Sequence, residues 1–176
     1  MRRAVSILIL VLFALSSKAQ DGAAIDELFQ KYQGREGITS VYISSKMFSM
    51  FSGQNSGNAE VDDLMNKLKS IRILTVEDSL INLKVNFYDE LRKKTDFSSY
   101  EELMVVNEAD NVTKFLIRQQ GKTISELLII SAGKGGNTLI SIRGDLDLKN
   151  ISSLSGKMGI KQLEELDKME QKPPKN

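Results

Sequence analysis

The sequence predicts an α+β fold, a mostly antiparallel sheet of about six strands with helices packed mainly on one face. Three observations carry this. Up to Phe97, apolar residues at helical spacing alternate with short β-branched runs. After Phe97, four strand-like segments follow one another, with glycine turns between the last three. A chain of 176 residues corresponds to about one domain.

The first segment is expected to be a targeting signal. Arg2 and Arg3 form a positive start, Ala4 to Leu15 is apolar apart from Ser6, and Ser17-Lys18-Ala19 places small residues ahead of a cleavage point before Gln20. The apolar run is shorter than the ~20 residues of a membrane-spanning helix. Residues 1–19 are therefore assigned to a signal peptide, residues 20–170 to a single domain and residues 171–176 to a disordered tail. The chain is expected to be exported, to the periplasm first and the extracellular space second.

The first helix is expected from about Ala23 to Gln33, with Ile25, Leu28, Phe29 and Tyr32 on one face. Ile38 to Ser44 reads as a strand, and Met47, Phe48, Met50 and Phe51 follow on a short helical turn. Ser52 to Asn58 has the composition of a loop. Val61, Leu64, Met65 and Leu68 repeat the helical spacing, and Ile71 to Val76 is a second strand. A long helix is expected from Asp78 or Ser79 to about Lys94, burying Leu80, Leu83, Phe87 and Leu91. Glu102 to Val106, Val112 to Gln119, Thr123 to Ser131 and Thr138 to Arg143 read as the remaining strands, and two short helices near Leu148 to Leu154 and Ile160 to Met169 close the domain.

Composition excludes several chemistries. Removing Met1 to Ala19 lowers Lys plus Arg from 24 to 21 against 23 acidic residues, a net charge of about −2. Such a surface has no general attraction for phosphate backbones, so nucleic acid is not an expected partner. Cysteine, histidine and tryptophan are absent. Disulfides, zinc sites of the Cys/His kind and Ser-His or Cys-His catalytic arrangements are ruled out. No metal and no cofactor are expected, and no later segment has transmembrane length.

Three motifs invite chemical readings and lose them on spacing. Gly133-Lys134-Gly135-Gly136-Asn137-Thr138 lacks the Gly-Lys-Ser/Thr spacing of a phosphate loop and reads as a hairpin turn. Ser131-Ala-Gly-Lys134 lacks the partner motifs of the penicillin-recognising enzymes. Asp145 and Asp147 supply too few oxygens for calcium and are expected to cap the next helix, and the Gly144 between Arg143 and Asp145 reads as a turn residue. The carboxylates Glu101, Glu102, Glu108, Asp110, Asp145 and Asp147 form the pool from which a hydrolase of the cell envelope would have to be built. No tryptophan offers a sugar platform, and a solvated face is the simpler reading.

The set Phe29-x-x-Tyr32, Gly37-x-Thr39-x-Val41-x-Ile43 followed by Met47-Phe48, and Leu139-Ile-Ser-Ile-x-Gly144-x-Leu-Asp-Leu148 resembles a family of small exported proteins of Bacteroidetes-type bacteria, domain of unknown function 4252. The resemblance covers about Ile25 to Leu154. It implies a fold but carries over no catalytic residue, since the family has no established activity. Many of its members look like lipoproteins with a cysteine after the signal. This chain has none, which favours a free periplasmic protein over an anchored one.

The leading functional expectation is a non-enzymatic binding or interaction domain, with a carboxylate hydrolase and a structural subunit of an envelope assembly as alternatives. Its partner is expected to be a protein or envelope component, with a second copy of the chain among the candidates. Met47, Phe48, Met50 and Phe51 crowd a single helical turn, of which only about a 100° stripe can point inward. With Gln54 and Asn55 of the adjoining loop they form the candidate interaction surface, unless that loop folds over them.

Overall fold

In a computed structural model, residues 20–52, 59–95, 97–147, 149 and 151 are described. The expected signal segment, Gln54 and Asn55, most of the expected helix near Leu148, the expected helix near Ile160 and the expected tail lie outside them. Six strands form one sheet: β1 Ile38–Ser44, β2 Leu68–Val76, β3 Glu101–Asn107, β4 Asn111–Gln120, β5 Thr123–Gly133 and β6 Thr138–Leu146, in the order β1-β2-β6-β5-β4-β3. Every neighbouring pair is antiparallel. The helices are α1 Gln20–Tyr32, α2 Ser45–Phe51, α3 Ala59–Lys67, α4 Ser79–Asn82 and α5 Phe87–Arg92. The α+β class and the antiparallel six-stranded sheet are those read from the sequence.

The helices, however, cover both faces and not mainly one. Residues of alternate parity in the inner strands are apolar: Leu127 and Ile129 point to one side of β5, Leu128 and Ile130 to the other, all of them buried. Ile140 and Ile142 oppose Leu139 in β6 in the same way. A sheet apolar on both sides needs two covering layers. Phe48 of α2 and Leu64 of α3 pack on the Ile71, Ile129 and Ile142 side. Ile25, Leu28 and Phe29 of α1 and Phe87 and Leu91 of α5 pack on the Leu74, Leu128 and Leu139 side. Each buried aliphatic or phenyl side chain contributes about 1.5–3 kcal/mol over leaving it in water.

The expected long helix from Asp78 to Lys94 is two short ones. Asp78 caps α4 by accepting from the Leu80 and Ile81 N–H groups at 2.8 and 2.9 Å. Asn82, the last residue of α4, is held by its side-chain amide, which donates to the Gly133 and Lys134 carbonyls at 3.1 Å each. Asn86 caps α5 by accepting from the Asp89 N–H at 3.0 Å. Asparagine stabilises breaks and caps through such bonds to the backbone. Phe87 and Leu91 are buried as expected, but Leu80 and Leu83 are 69% and 71% exposed. Gly37 sits in the turn before β1 at φ 71°, where a Cβ would come within 2.5 Å of Ile81 Cδ1, so only glycine lets α4 lie against this turn.

Helices α1 and α5 are tied together at their outer edge. Lys31 and Tyr32 both donate to the Glu90 carboxylate, and Lys94 reaches Glu27. Partial burial opposes the Glu90 charge, but the bonds from Lys31 and Tyr32 outweigh it and hold the carboxyl below its usual range. A depressed folded-state pKa contributes stability above the ordinary value of 4.5, and that stability is lost as pH falls through the folded value. Glu90→Gln is expected to cost under ~1 kcal/mol at pH 7, a half-exposed pair being weakly stabilising. The gap to the parent chain should close under acid, which denaturant melts from pH 7 down to pH 3 would reveal. A gap that widens with acid would contradict this assignment.

Candidate functional site

Helix α2 begins where β1 ends and runs for seven residues. Phe48 alone of its four large apolar side chains points inward, 3% exposed against Leu64 and Ile71. Met47, Met50 and Phe51 are 46%, 64% and 59% exposed. Three hydrophobic side chains thus stand on one short element. On β1 the Tyr42 ring lies 5.2 Å from the Arg72 guanidinium. A groove of about 370 Å³ opens beside it, lined by Phe29, Gln30 and Gln33 of α1 with Ser40, Tyr42 and Arg72.

The expected carboxylate pool is exposed and dispersed. Glu101 and Glu102 sit on the edge strand β3, Glu101 accepting from the Gln119 amide at 2.9 Å and Glu102 from Lys114 at 2.9 Å. Glu108 and Asp110 occupy the β3–β4 turn, where the Glu108 N–H donates to the Asn111 carbonyl at 2.9 Å and the Asp110 carbonyl accepts from the Gly135 N–H at 3.2 Å. Asp145 belongs to β6 and pairs with Lys69 of β2 at 2.6 Å, so it is a cross-strand partner and not a helix cap. Asp147 follows the strand and accepts the Ile151 N–H through its backbone carbonyl at 3.1 Å. Gly144, expected in a turn, lies within β6, where a Cβ would come within 2.6 Å of the Lys67 carbonyl at the end of α3. Among the described residues no group of three or more acidic side chains is placed to hold a metal ion.

The Gly133 to Asn137 segment is the β5–β6 connection, as expected of a hairpin turn. Ser131, the serine of the Ser-x-x-Lys, is buried in β5 and accepts from Asn111 at 2.6 Å and Thr113 at 3.0 Å. Lys134 lies in the exposed turn.

A buried polar constellation escaped the sequence reading. Glu126 of β5 is 2% exposed and stands directly across from Arg118 of β4 and Arg143 of β6. Its Oε1 accepts from Ser141 Oγ at 2.7 Å and Arg143 Nε at 2.9 Å, and its Oε2 accepts from the Tyr100 hydroxyl at 2.7 Å. Arg118 adds an ion pair at 3.6 Å and donates to the Tyr100 oxygen at 2.6 Å. Arg143 continues to Asp26 of α1 at 2.9 Å, which also accepts from Arg72 at 2.6 Å. Burial pushes the Tyr100 phenol far above its usual range, and the Glu126 charge adds to the push, so Tyr100 remains a donor. Burial works against the Arg143 charge, but Glu126 and Asp26 overcome it and raise its pKa. The signal in sequence is a single acid at period two with Leu128 and Ile130, an inward position that demands a paired charge.

The constellation joins sheet to helix. Both Glu126 oxygens are committed and Glu126 itself is buried, while Arg118, Arg143 and Asp26 at the rim are 26%, 23% and 36% exposed. A general acid or base must reach the proton that it moves, within hydrogen-bond distance or through one water. Among the described residues no helix is long and apolar enough to cross a membrane.

No curated protein and no solved structure matches the chain. The model of one family, described as Domain of unknown function (DUF4252), matches residues 32–154, from the last residue of α1 through all six strands. That span is well over half of the chain and contains the exposed α2, the β1 edge and the buried Glu126 ladder, and on it the chain belongs to the DUF4252 family.

Proposed function

We propose that this chain is an exported, non-enzymatic interaction domain whose contact surface is the outer face of α2. The observation that carries the reading is the outward set Met47, Met50 and Phe51 on a helix that needs only Phe48 to dock. Solvent-facing methionine and phenylalanine in one cluster are costly unless covered, and methionine adapts its shape to a protein partner. The dispersed carboxylates and the sealed Glu126 support a role without acid–base chemistry. Gln54 and Asn55, which adjoin α2 in sequence, lie outside the described residues.

The double substitution Met50→Ser with Phe51→Ser is expected to leave the fold intact, as neither side chain is in the core, and to abolish capture of the partner protein by the chain in envelope extracts. Circular dichroism establishes folding, and quantitative cross-linking from position 47 reads the contact. Undiminished cross-linking in the folded variant would remove α2 as the surface. Export is tested separately. The chain recovered from the periplasmic or culture fraction should begin at Gln20 by intact mass, and a species retaining Met1 to Ala19 there would refute cleavage.

A further inference from the structure

We infer that β1 is a pairing edge for a second copy of this chain, joining two six-stranded sheets into one antiparallel sheet about a two-fold axis at Val41. The inference goes beyond the α2 reading: it names a second contact, on β1, whose partner is another copy of the chain. The two edges of the sheet differ. Strand β3 carries Glu101 and Glu102 and a register shift between Glu102 and Met104, the usual defences against edge-to-edge pairing. Strand β1 reads Ile-Thr-Ser-Val-Tyr-Ile-Ser, with no charge and no proline, and its register against β2 is unbroken from Ile38 to Ser44. Thr39, Ser40, Val41 and Tyr42 are all exposed. An uncharged, regular edge presents a row of backbone donors and acceptors that another strand can complete.

The identity of that other strand follows from self-complementarity. An isologous contact brings the same patch together from both copies. Antiparallel pairing centred on Val41, the middle residue of β1, sets Val41 against the second copy's Val41 and Thr39 against its Ile43. On the opposite face it sets Tyr42 against the second copy's Ser40. Ser40 borders the groove of about 370 Å³ between α1 and β1, so each Tyr42 ring enters the other copy's groove beside Phe29 and Arg72. A large side chain thus meets a small one and a vacant groove twice in one symmetric contact. Charges agree as well: exposed Lys46, just past the end of β1, comes to the end of the second strand where exposed Glu36 stands. The two-fold axis runs perpendicular to the sheet, so both α2 surfaces emerge on the same side of the joined sheet. The product is a two-headed platform whose heads are not consumed by the pairing.

The test uses the purified full chain in its native form, by sedimentation velocity over a concentration series. The parent chain is expected to be dimeric. Val41→Lys places like charges at the two-fold axis and should give a folded monomer, because Val41 is 39% exposed and on the edge. Val41→Glu should likewise be monomeric, and mixing the two variants should restore a heterodimer. The α2 double variant, Met50→Ser with Phe51→Ser, should remain dimeric, which separates failure of this contact from failure of the α2 reading. A monomeric parent chain, a Val41→Lys dimer, or two monomeric variants that do not pair on mixing would each overturn the inference.

Discussion

Arg143→Ala is expected to destabilise the fold by about 3–5 kcal/mol, the range for removing one partner of a buried ion pair. The substitution leaves Glu126, 2% exposed, without the Nε–H that it accepts at 2.9 Å. It also cuts the link at 2.9 Å from the sheet to Asp26 of α1. Arg118 cannot take over, because it stands at 3.6 Å on the opposite side of Glu126 and is already engaged with Tyr100. Lys69→Ala is the control: the Lys69–Asp145 pair lies on the surface, with side chains 63% and 61% exposed, and should be worth at most ~1 kcal/mol. Replacing the charged pair together, by Glu126→Leu with Arg143→Met, should cost less than the two single losses combined, since neither charge is then left buried alone. Urea melts of Arg143→Ala, Lys69→Ala, the double variant and its two component single variants check this. Equal small losses for Arg143→Ala and Lys69→Ala would show that the ladder is not a buried pair.

Phe87→Ala is expected to cost ~3–5 kcal/mol, the range for emptying a core aromatic site. Phe87 is fully buried at the first position of α5, between the Asn86 cap and the sheet. Its ring meets Tyr32 of α1 edge-on, centroids 5.3 Å apart at 74°, so the cavity opens where both helices and the sheet converge. Leu83→Ala should cost under ~0.5 kcal/mol, because Leu83 is 71% exposed. Lys84→Ala, in the exposed turn, should fall in the same small range. A continuous helix from Ser79 to Lys94 predicts instead that Leu83 and Phe87 are both costly, so the same melts decide between one helix and two.

The elements legible in the sequence are those decided by local chemistry. Ile38 to Ser44 is β1 to the residue, because β-branched side chains between Gly37 and a helix start leave few alternatives. The four-strand meander, its glycine turns and the burial of Phe87 and Leu91 follow from period and turn composition in the same way. The exclusion of Cys/His zinc sites and histidine-based catalysis needs only the absence of two residue types. What tertiary structure alone decided is where groups far apart in the chain meet. The Leu83, Phe87, Leu91 spacing matches a helix, but the Gly133 and Lys134 carbonyls, some fifty residues away, hold Asn82 and end α4. Leu127 to Ile130 is a continuous apolar run whose two-sided burial depends on α1 and α5 on one face and α2 and α3 on the other. Glu126 is an ordinary charged residue until β4 and β6 bring Arg118 and Arg143 to either side of it. Met50 and Phe51 are hydrophobic by composition, yet their exposure is set by the direction in which β1 delivers α2 to the sheet. Local preference is a property of a few neighbouring residues; burial and pairing depend on the whole chain, and the candidate surface is of that second kind.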